Sequence, residues 1–192
     1  RRFGTNNLPD CSNMCHESSG VALNESIGIG KGTVTLEDFN SADLIIVVGQ
    51  NPGTNHPRML TALRDAKKKG ASIISINPLI ETGMKKFKHP QNPIEMLGFG
   101  SKIADKHLKV KINSDQALFR ALSKSLIESG NVDEIFIDKY TNGYDDYRKV
   151  VLESDFSELS DITGIPLQEI LDVGEKVSQS KSTIVCWAMG IT

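Results

Sequence analysis

Cys15 and His16 stand side by side in the stretch Cys11-Ser12-Asn13-Met14-Cys15-His16-Glu17-Ser18-Ser19-Gly20-Val21-Ala22-Leu23, directly ahead of what reads as a short helix. Ser18, Ser19 and Gly20 are small, and Val21, Ala22 and Leu23 can pack inward. A thiol at such a turn lies near unpaired backbone N–H groups and the positive end of the helix dipole, which favour its thiolate. A thiolate is both a soft ligand for a transition metal and a nucleophile. The neighbouring imidazole can move protons near neutral pH. Residue type alone leaves a plainer reading open. Most Cys-His neighbours are packing residues, and Cys11 and Cys15 are as readily an incidental pair of thiols.

Any such site needs a scaffold, and 192 residues suffice for one well-buried domain but not for two large ones. A hydrophobic share of 39% and a charged share of 24% describe a soluble globular chain. A net charge of -2, with no basic run interleaved with aromatics, gives no reason to expect nucleic acid. The longest apolar runs are strand-sized, too short to span a membrane as a helix. Three cysteines argue against a disulfide framework and for a reducing, cytoplasmic compartment. The first residue is Arg1 and the last is Thr192, just after a strand-like run, so a piece of a longer protein is expected, with any targeting signal elsewhere.

Residues 26–33 are glycine-rich but fail as a phosphate loop. Glu25 stands six positions before Lys31, Gly32 follows that lysine, and no strand precedes it. A flexible loop allowing close backbone approach is the better reading. A helical turn over residues 35–40 leads to Leu44-Ile45-Ile46-Val47-Val48-Gly49, the continuous β-branched run of a strand covered on both faces. Asn55 is the expected N-cap of the next helix, with Pro57 near its first position. Met59, Leu60, Leu63 and Ala66 recur at helical spacing before a lysine-rich end at Gly70. Residues 71–76 form a second strand, completing one βαβ unit.

Residues 81–106 have no clean period, and His89 and His107 are read there as surface residues. Residues 108–112 alternate as a one-faced strand, followed by a helix carrying Ala117, Leu118, Ala121, Leu122 and Leu126 inward. Helices are expected over 132–140 and 144–153. Residues 162–166 introduce another, with Ile170, Leu171, Gly174 and Val177 on one face. Residues 182–187 read as a final strand, with Cys186 a buried small hydrophobe and Trp187 in the core. The fold class is therefore α/β: an open, mostly parallel, doubly wound sheet with helices on both faces, forming one domain over residues 1–192. Ligands of such folds collect at the carboxyl ends of the strands. Polar or glycine-containing segments fall there, at residues 51–56, 77–78, 113–115 and 188–192.

With these segments aligned, the chain resembles the molybdopterin-binding catalytic subunits of the formate-dehydrogenase type. The resemblance spans essentially all 192 residues. It rests on Gly4-Thr5-Asn6-Asn7, Met14-Cys15-His16, Val48-Gly49-Gln50-Asn51-Pro52, Asn55-His56-Pro57, Asn77-Pro78, Ile80-Glu81-Thr82, Asp161-Ile162-Thr163-Gly164 and Trp187-Ala188-Met189-Gly190-Ile191-Thr192. It implies a molybdenum or tungsten bis(molybdopterin guanine dinucleotide) cofactor, with Cys15 as the metal ligand and His16 handling the substrate proton. It further implies that Asn51 and Asn55 meet the dinucleotide diphosphate, that Ile76, Asn77 and Pro78 form a second nucleotide-contacting turn, and that Ser114 and Asp115 form a third. Met189, Gly190 and Thr192 match a turn that approaches the cofactor.

The pattern also departs from the family. Asn77 stands where Asp is common, Leu79 where Arg is common, and Glu17 and Ser18 replace a Gly-Pro. The segment 85–106 is longer than expected. These features are similar to formate-dehydrogenase-like alpha subunits rather than the classical enzymes. A 4Fe–4S cluster, if the full protein carries one, would sit on cysteines outside these residues. Two functions follow. One is a molybdenum-dependent oxidoreductase moving two electrons between a small-molecule substrate and an unidentified electron partner, with the excerpt by itself inactive and largely empty of cofactor. The other is a cofactor-free structural or regulatory domain derived from the family; Cys15 and His16 favour the first, because a metal-free domain has no need of a thiolate there.

Overall fold

A computed structural model of the chain describes residues 2–8, 11–98 and 100–191. Two short N-terminal elements, α1 (Cys11–Met14) and α2 (Glu17–Ile27), precede a 3₁₀ turn at Glu37–Asn40. The sheet region then runs β1 (Leu44–Val48), α3 (Pro52–Asn55), α4 (Pro57–Lys68), β2 (Ser72–Ile76), α5 (Thr82–Lys85), α6 (Pro93–Leu97) and β3 (Lys106–Leu108). The helices α7 (Asp115–Glu128), α8 (Glu134–Tyr140), α9 (Tyr144–Glu153), α10 (Phe156–Thr163) and α11 (Leu167–Gln179) follow, and β4 (Thr183–Trp187) closes the sheet.

The four strands lie in the order β3-β2-β1-β4, and every pairing is parallel. All five residues of β1 are buried, as its unbroken apolar run requires. Their side chains alternate between two cores. Leu44, Ile46 and Val48 join Ile74, Ile76 and Leu108 against Leu118, Leu122, Leu159, Ile170 and Val173 of α7, α10 and α11. Ile45 and Val47 join Ile73 and Ile184 against Leu60, Leu63 and Ala66 of α4, with Met84, Ile103 and Ala104. Helices therefore cover both faces, and the doubly wound α/β reading holds. Gly174 lets α11 lie directly against Ser125 of α7.

The polar segment after β2 is organised by Glu95. Its carboxylate accepts the backbone N–H of His89 at 3.0 Å and the Arg64 guanidinium of α4 at 3.1 Å, and these contacts hold its pKa below the ordinary carboxylate value. Beneath that polar cover, Met84, Ile103 and Ala104 are 0% exposed, so the aperiodic segment supplies core residues.

Several expectations are corrected. The third strand is Lys106–Leu108, not residues 108–112: Asn77 N–H closes the ladder on Leu108 C=O at 3.0 Å, and Lys111 N–H turns away to Thr163 C=O at 2.9 Å. His107 consequently sits within a strand, half-buried, with its Nδ1 buried and unpartnered among the described residues. Burial, with Lys102 and Lys85 nearby, lowers its pKa. Residues 162–166 end one helix before starting the next. Gly164 takes φ 70° as the left-handed cap of α10, whose N-cap Asp155 accepts the Glu158 N–H at 2.9 Å. Asn55 ends α3 instead of capping α4, where His56 stands at the cap without a side-chain bond. Val21 and Ala22 are exposed and Leu23 is half-buried, so no residue of α2 enters a core. Cys186 is half-buried rather than fully enclosed, and Trp187 packs partly buried against the first core.

The ends of β1 and β4 meet through glycine. Gly49 has φ +59°, and a Cβ on it would lie 2.9 Å from the Gly190 Cα. Backbone cannot yield as a flexible side chain can. Gly49→Ala therefore combines left-handed strain with a backbone collision and should destabilise the fold by about 1–3 kcal/mol. A lower unfolding midpoint in thermal denaturation of the full-length protein is the expected result.

Candidate cofactor site at the carboxyl edge

In the order β3-β2-β1-β4, the chain moves outward from β1 through β2 to β3 and then returns to the other side of β1. The topological switch lies between β1 and β4, and the crevice for a ligand in an open α/β sheet lies outside the carboxyl ends at that point. Gly49 and Gly190 touch there. The adjoining Gln50 is half-buried, and its Oε1 is buried without a hydrogen-bond partner among the described residues. An acceptor left orphaned in this way costs about 1–3 kcal/mol unless a ligand or water satisfies it.

Asn51 is half-buried and caps α3, its Oδ1 accepting the Thr54 N–H at 3.2 Å. Its Nδ2 donates to Glu81 Oε2 at 2.7 Å, and Asn77 Nδ2 donates to Glu81 Oε1 at 3.1 Å. One carboxylate thus joins the ends of β1 and β2. Gly53 and Gly83 make this approach feasible, since a Cβ on Gly83 would stand 3.1 Å from the Gly53 Cα. Sequence reasoning misses Glu81 as a site residue. Its only signal there is its place between Ile80 and Thr82 after the second strand turn.

The remaining candidates divide by location. Ile76 is 0% exposed and offers the edge only its backbone, whose C=O accepts from Gly49 N–H at 2.9 Å. Pro78, Asn55, Met189 and Gly190 are exposed along the edge, whereas Thr192 lies outside the described residues. Ser114 is buried, and its hydroxyl donates to Lys111 C=O at 2.6 Å. Asp115 is half-buried at the first turn of α7, and burial pushes its carboxyl above the ordinary range against the opposing effect of a backbone N–H. Among the described residues no hydrogen bond joins Ser114 or Asp115 to the Glu81 cluster.

Cys15 is half-buried, its N–H bonded to Ser12 C=O at 3.1 Å. His16 is exposed at the N-cap of α2 and makes no side-chain capping bond. The first turn of this helix reaches the sheet, where Trp187 Nε1 at the end of β4 donates to Ser19 Oγ at 3.3 Å. The Cys-His helix is therefore moored to the same carboxyl edge as the glycine contact. Among the described residues no group of three or more His, Cys, Asp or Glu could hold a metal ion. The thiol on β4 behaves differently: burial pushes Cys186 up to about 11. Alkylation with iodoacetamide at pH 8 should leave Cys186 largely unmodified, with its rate rising toward pH 11, as peptide mapping by mass spectrometry would show.

Relatives of known sequence match the chain from end to end. It is 50% identical over 198 residues to an oxidoreductase of Mycobacterium tuberculosis (strain H37Rv), covering 100% of this chain and 25% of that protein. It is 45% identical to protein YdeP of Escherichia coli K12, covering 100% of the chain and 27% of YdeP. Formate dehydrogenase H of the same strain is 32% identical over 99% of the chain and 24% of its own length. The chain thus spans about a quarter of the length of these relatives. Acetylene hydratase from Pelobacter acetylenicus shares the fold, with a TM-score of 0.74 at 20% identity over 98% of this chain and 23% of that one. The profile of the molybdopterin oxidoreductase family matches residues 2–192, and the chain belongs to that family.

Proposed function

We propose that this chain forms part of a formate-dehydrogenase-like molybdopterin oxidoreductase and binds a molybdopterin guanine dinucleotide along the carboxyl edge of its sheet. The observation that carries this reading is the convergence at the β1–β4 switch of the orphaned Gln50 acceptor, the Gly49–Gly190 approach and the Asn51–Glu81–Asn77 bridge. This arrangement fits an extended polar ligand. The glycines admit backbone-close approach, Gln50 offers an unused acceptor, and Asn51 and Asn77 are held in fixed orientation. Ile76 and Pro78 shape the turn between them, with Asn55, Met189 and Gly190 along the rim and Ser114 and Asp115 at the far end.

The bound metal, molybdenum or tungsten, supplies two-electron redox chemistry toward a small substrate. Cys15 supplies a thiolate ligand, chemically matched to a metal otherwise held by dithiolene sulfurs. His16 carries no capping bond and is exposed, so its imidazole can take or return a proton at the substrate. The Ser19–Trp187 bond ties the first turn of α2, which follows the Cys15-His16 pair, to the end of β4.

Elemental analysis of the full-length protein, with GMP released by acid hydrolysis, tests the cofactor directly. The expected result is about two GMP for each molybdenum or tungsten. No metal and no GMP, from a host that makes the cofactor, would establish a cofactor-free structural domain instead. Cys15→Ser should lower turnover about 100-fold or more while leaving GMP content near that of the wild type. Unchanged turnover would remove Cys15 from the metal.

A further inference from the structure

Asparagine amides are nearly symmetric in shape, so an isolated Asn beside a ligand can present either its oxygen or its nitrogen. Glu81 removes that freedom. A carboxylate only accepts hydrogen bonds, and both Asn51 Nδ2, at 2.7 Å, and Asn77 Nδ2, at 3.1 Å, are turned onto it. Both Oδ1 atoms must therefore point away. Asn51 commits its oxygen to the Thr54 N–H at 3.2 Å. Among the described residues, no donor reaches the oxygen of Asn77. The end of β2 consequently displays an uncharged acceptor of fixed orientation, next to the switch point of the sheet.

We infer that Glu81 is a specificity-determining positioning residue: it locks Asn77 with its oxygen outward, so that this point of the site selects a hydroxyl or amino donor on the nucleotide. The inference rests on the proposed binding of a dinucleotide along this edge. It also accounts for an asparagine rather than an aspartate at position 77. With Glu81 at hydrogen-bond distance, an aspartate at that position would set two carboxylates against each other. Asn77 keeps the outward acceptor of a carboxylate and uses its other half to satisfy Glu81. The two residues form a complementary pair, and either one changed alone breaks the complementarity.

The pair can be exchanged without losing a bond. In the double variant N77D/E81Q, the amide oxygen at position 81 still accepts from Asn51, and the amide nitrogen there donates to the carboxylate at position 77. The second oxygen of that carboxylate faces outward. In E81Q alone, the new amide draws the oxygen of Asn77 inward and leaves an amide nitrogen facing the ligand. In N77D alone, the new carboxylate and Glu81 repel.

The test compares the full-length wild type, E81Q, N77D and N77D/E81Q. GMP released by acid hydrolysis after exhaustive dialysis reports retained nucleotide, and the unfolding midpoint of each protein made without cofactor reports structure. E81Q and N77D should each retain nucleotide about tenfold less well than wild type, and the exchanged pair should return to within about threefold of it. Cofactor-free E81Q should melt close to wild type, because its internal hydrogen bonds are all kept. Wild-type retention in E81Q, or an exchanged pair no better than the single variants, overturns the inference while leaving the cofactor assignment standing. A wild type that releases no GMP overturns the proposed function, and the inference falls with it.

Discussion

Every side chain of β1 is buried, so this strand has no solvent face and must be enclosed by helices on one side and by helix and loop on the other. Fully burying a Leu, Ile or Val contributes roughly 1.5–3 kcal/mol, and β1 consists only of such residues. The strand is thereby fixed at the centre of the sheet, paired with β2 on one edge and β4 on the other. Its carboxyl end is then the one place where chain segments from both directions must converge. What leaves β1 has to pass what leaves β4, and only glycine at both positions permits it. The site follows from the burial pattern of one strand.

Polar groups at that edge are under the same constraint. Backbone donors that emerge from the strand ends are taken up by the ladder, as Gly49 N–H is by Ile76 C=O and Asn77 N–H by Leu108 C=O. The amide side chains are then left to organise themselves, and Glu81 does this for two of them. Gln50 alone keeps a buried unused acceptor among these neighbours. A fully satisfied edge would be a poor binding surface. This one is satisfied where it needs rigidity and unsatisfied where a ligand would approach.

Sequence is most informative where one local force dominates. The unbroken apolar run of β1, the helical spacing of Leu60, Leu63 and Ala66, and the inward Leu118, Ala121 and Leu122 of α7 all follow from hydrophobic period, and the structure buries them, whereas Leu126 on the same expected face is only half-buried. The Gly190 approach is readable from a small residue at a strand end. Where competing interactions decide, pattern misleads. Alternation over residues 108–112 suggests a strand beginning at Leu108, yet the ladder there is set by the pairing of Ile74, Ser75 and Ile76 with Lys106, His107 and Leu108. The helix α10 is short and rich in polar residues, so its apolar period is weak, but the Asp155 cap with Glu158 three residues on is a usable signal. Glu81 cannot be found by period or cap, since its role appears only when two strand ends come together.

The Cys-His helix obeys a different balance from the sheet. None of its residues is buried, and Val21 is 51% exposed and Ile27 53% exposed. Its own packing therefore provides little of the roughly 1–2 kcal/mol per residue needed to order a backbone. Local devices hold it instead: Gly28 in the left-handed cap, Gly30 so close that an added Cβ would lie 2.9 Å from the Gly20 carbonyl oxygen, and the Ser19–Trp187 bond. A segment moored lightly and largely solvated can adjust its position without disturbing either core. The chain thus divides rigidity and adjustability between its fully buried central strand and a helix with no buried residue.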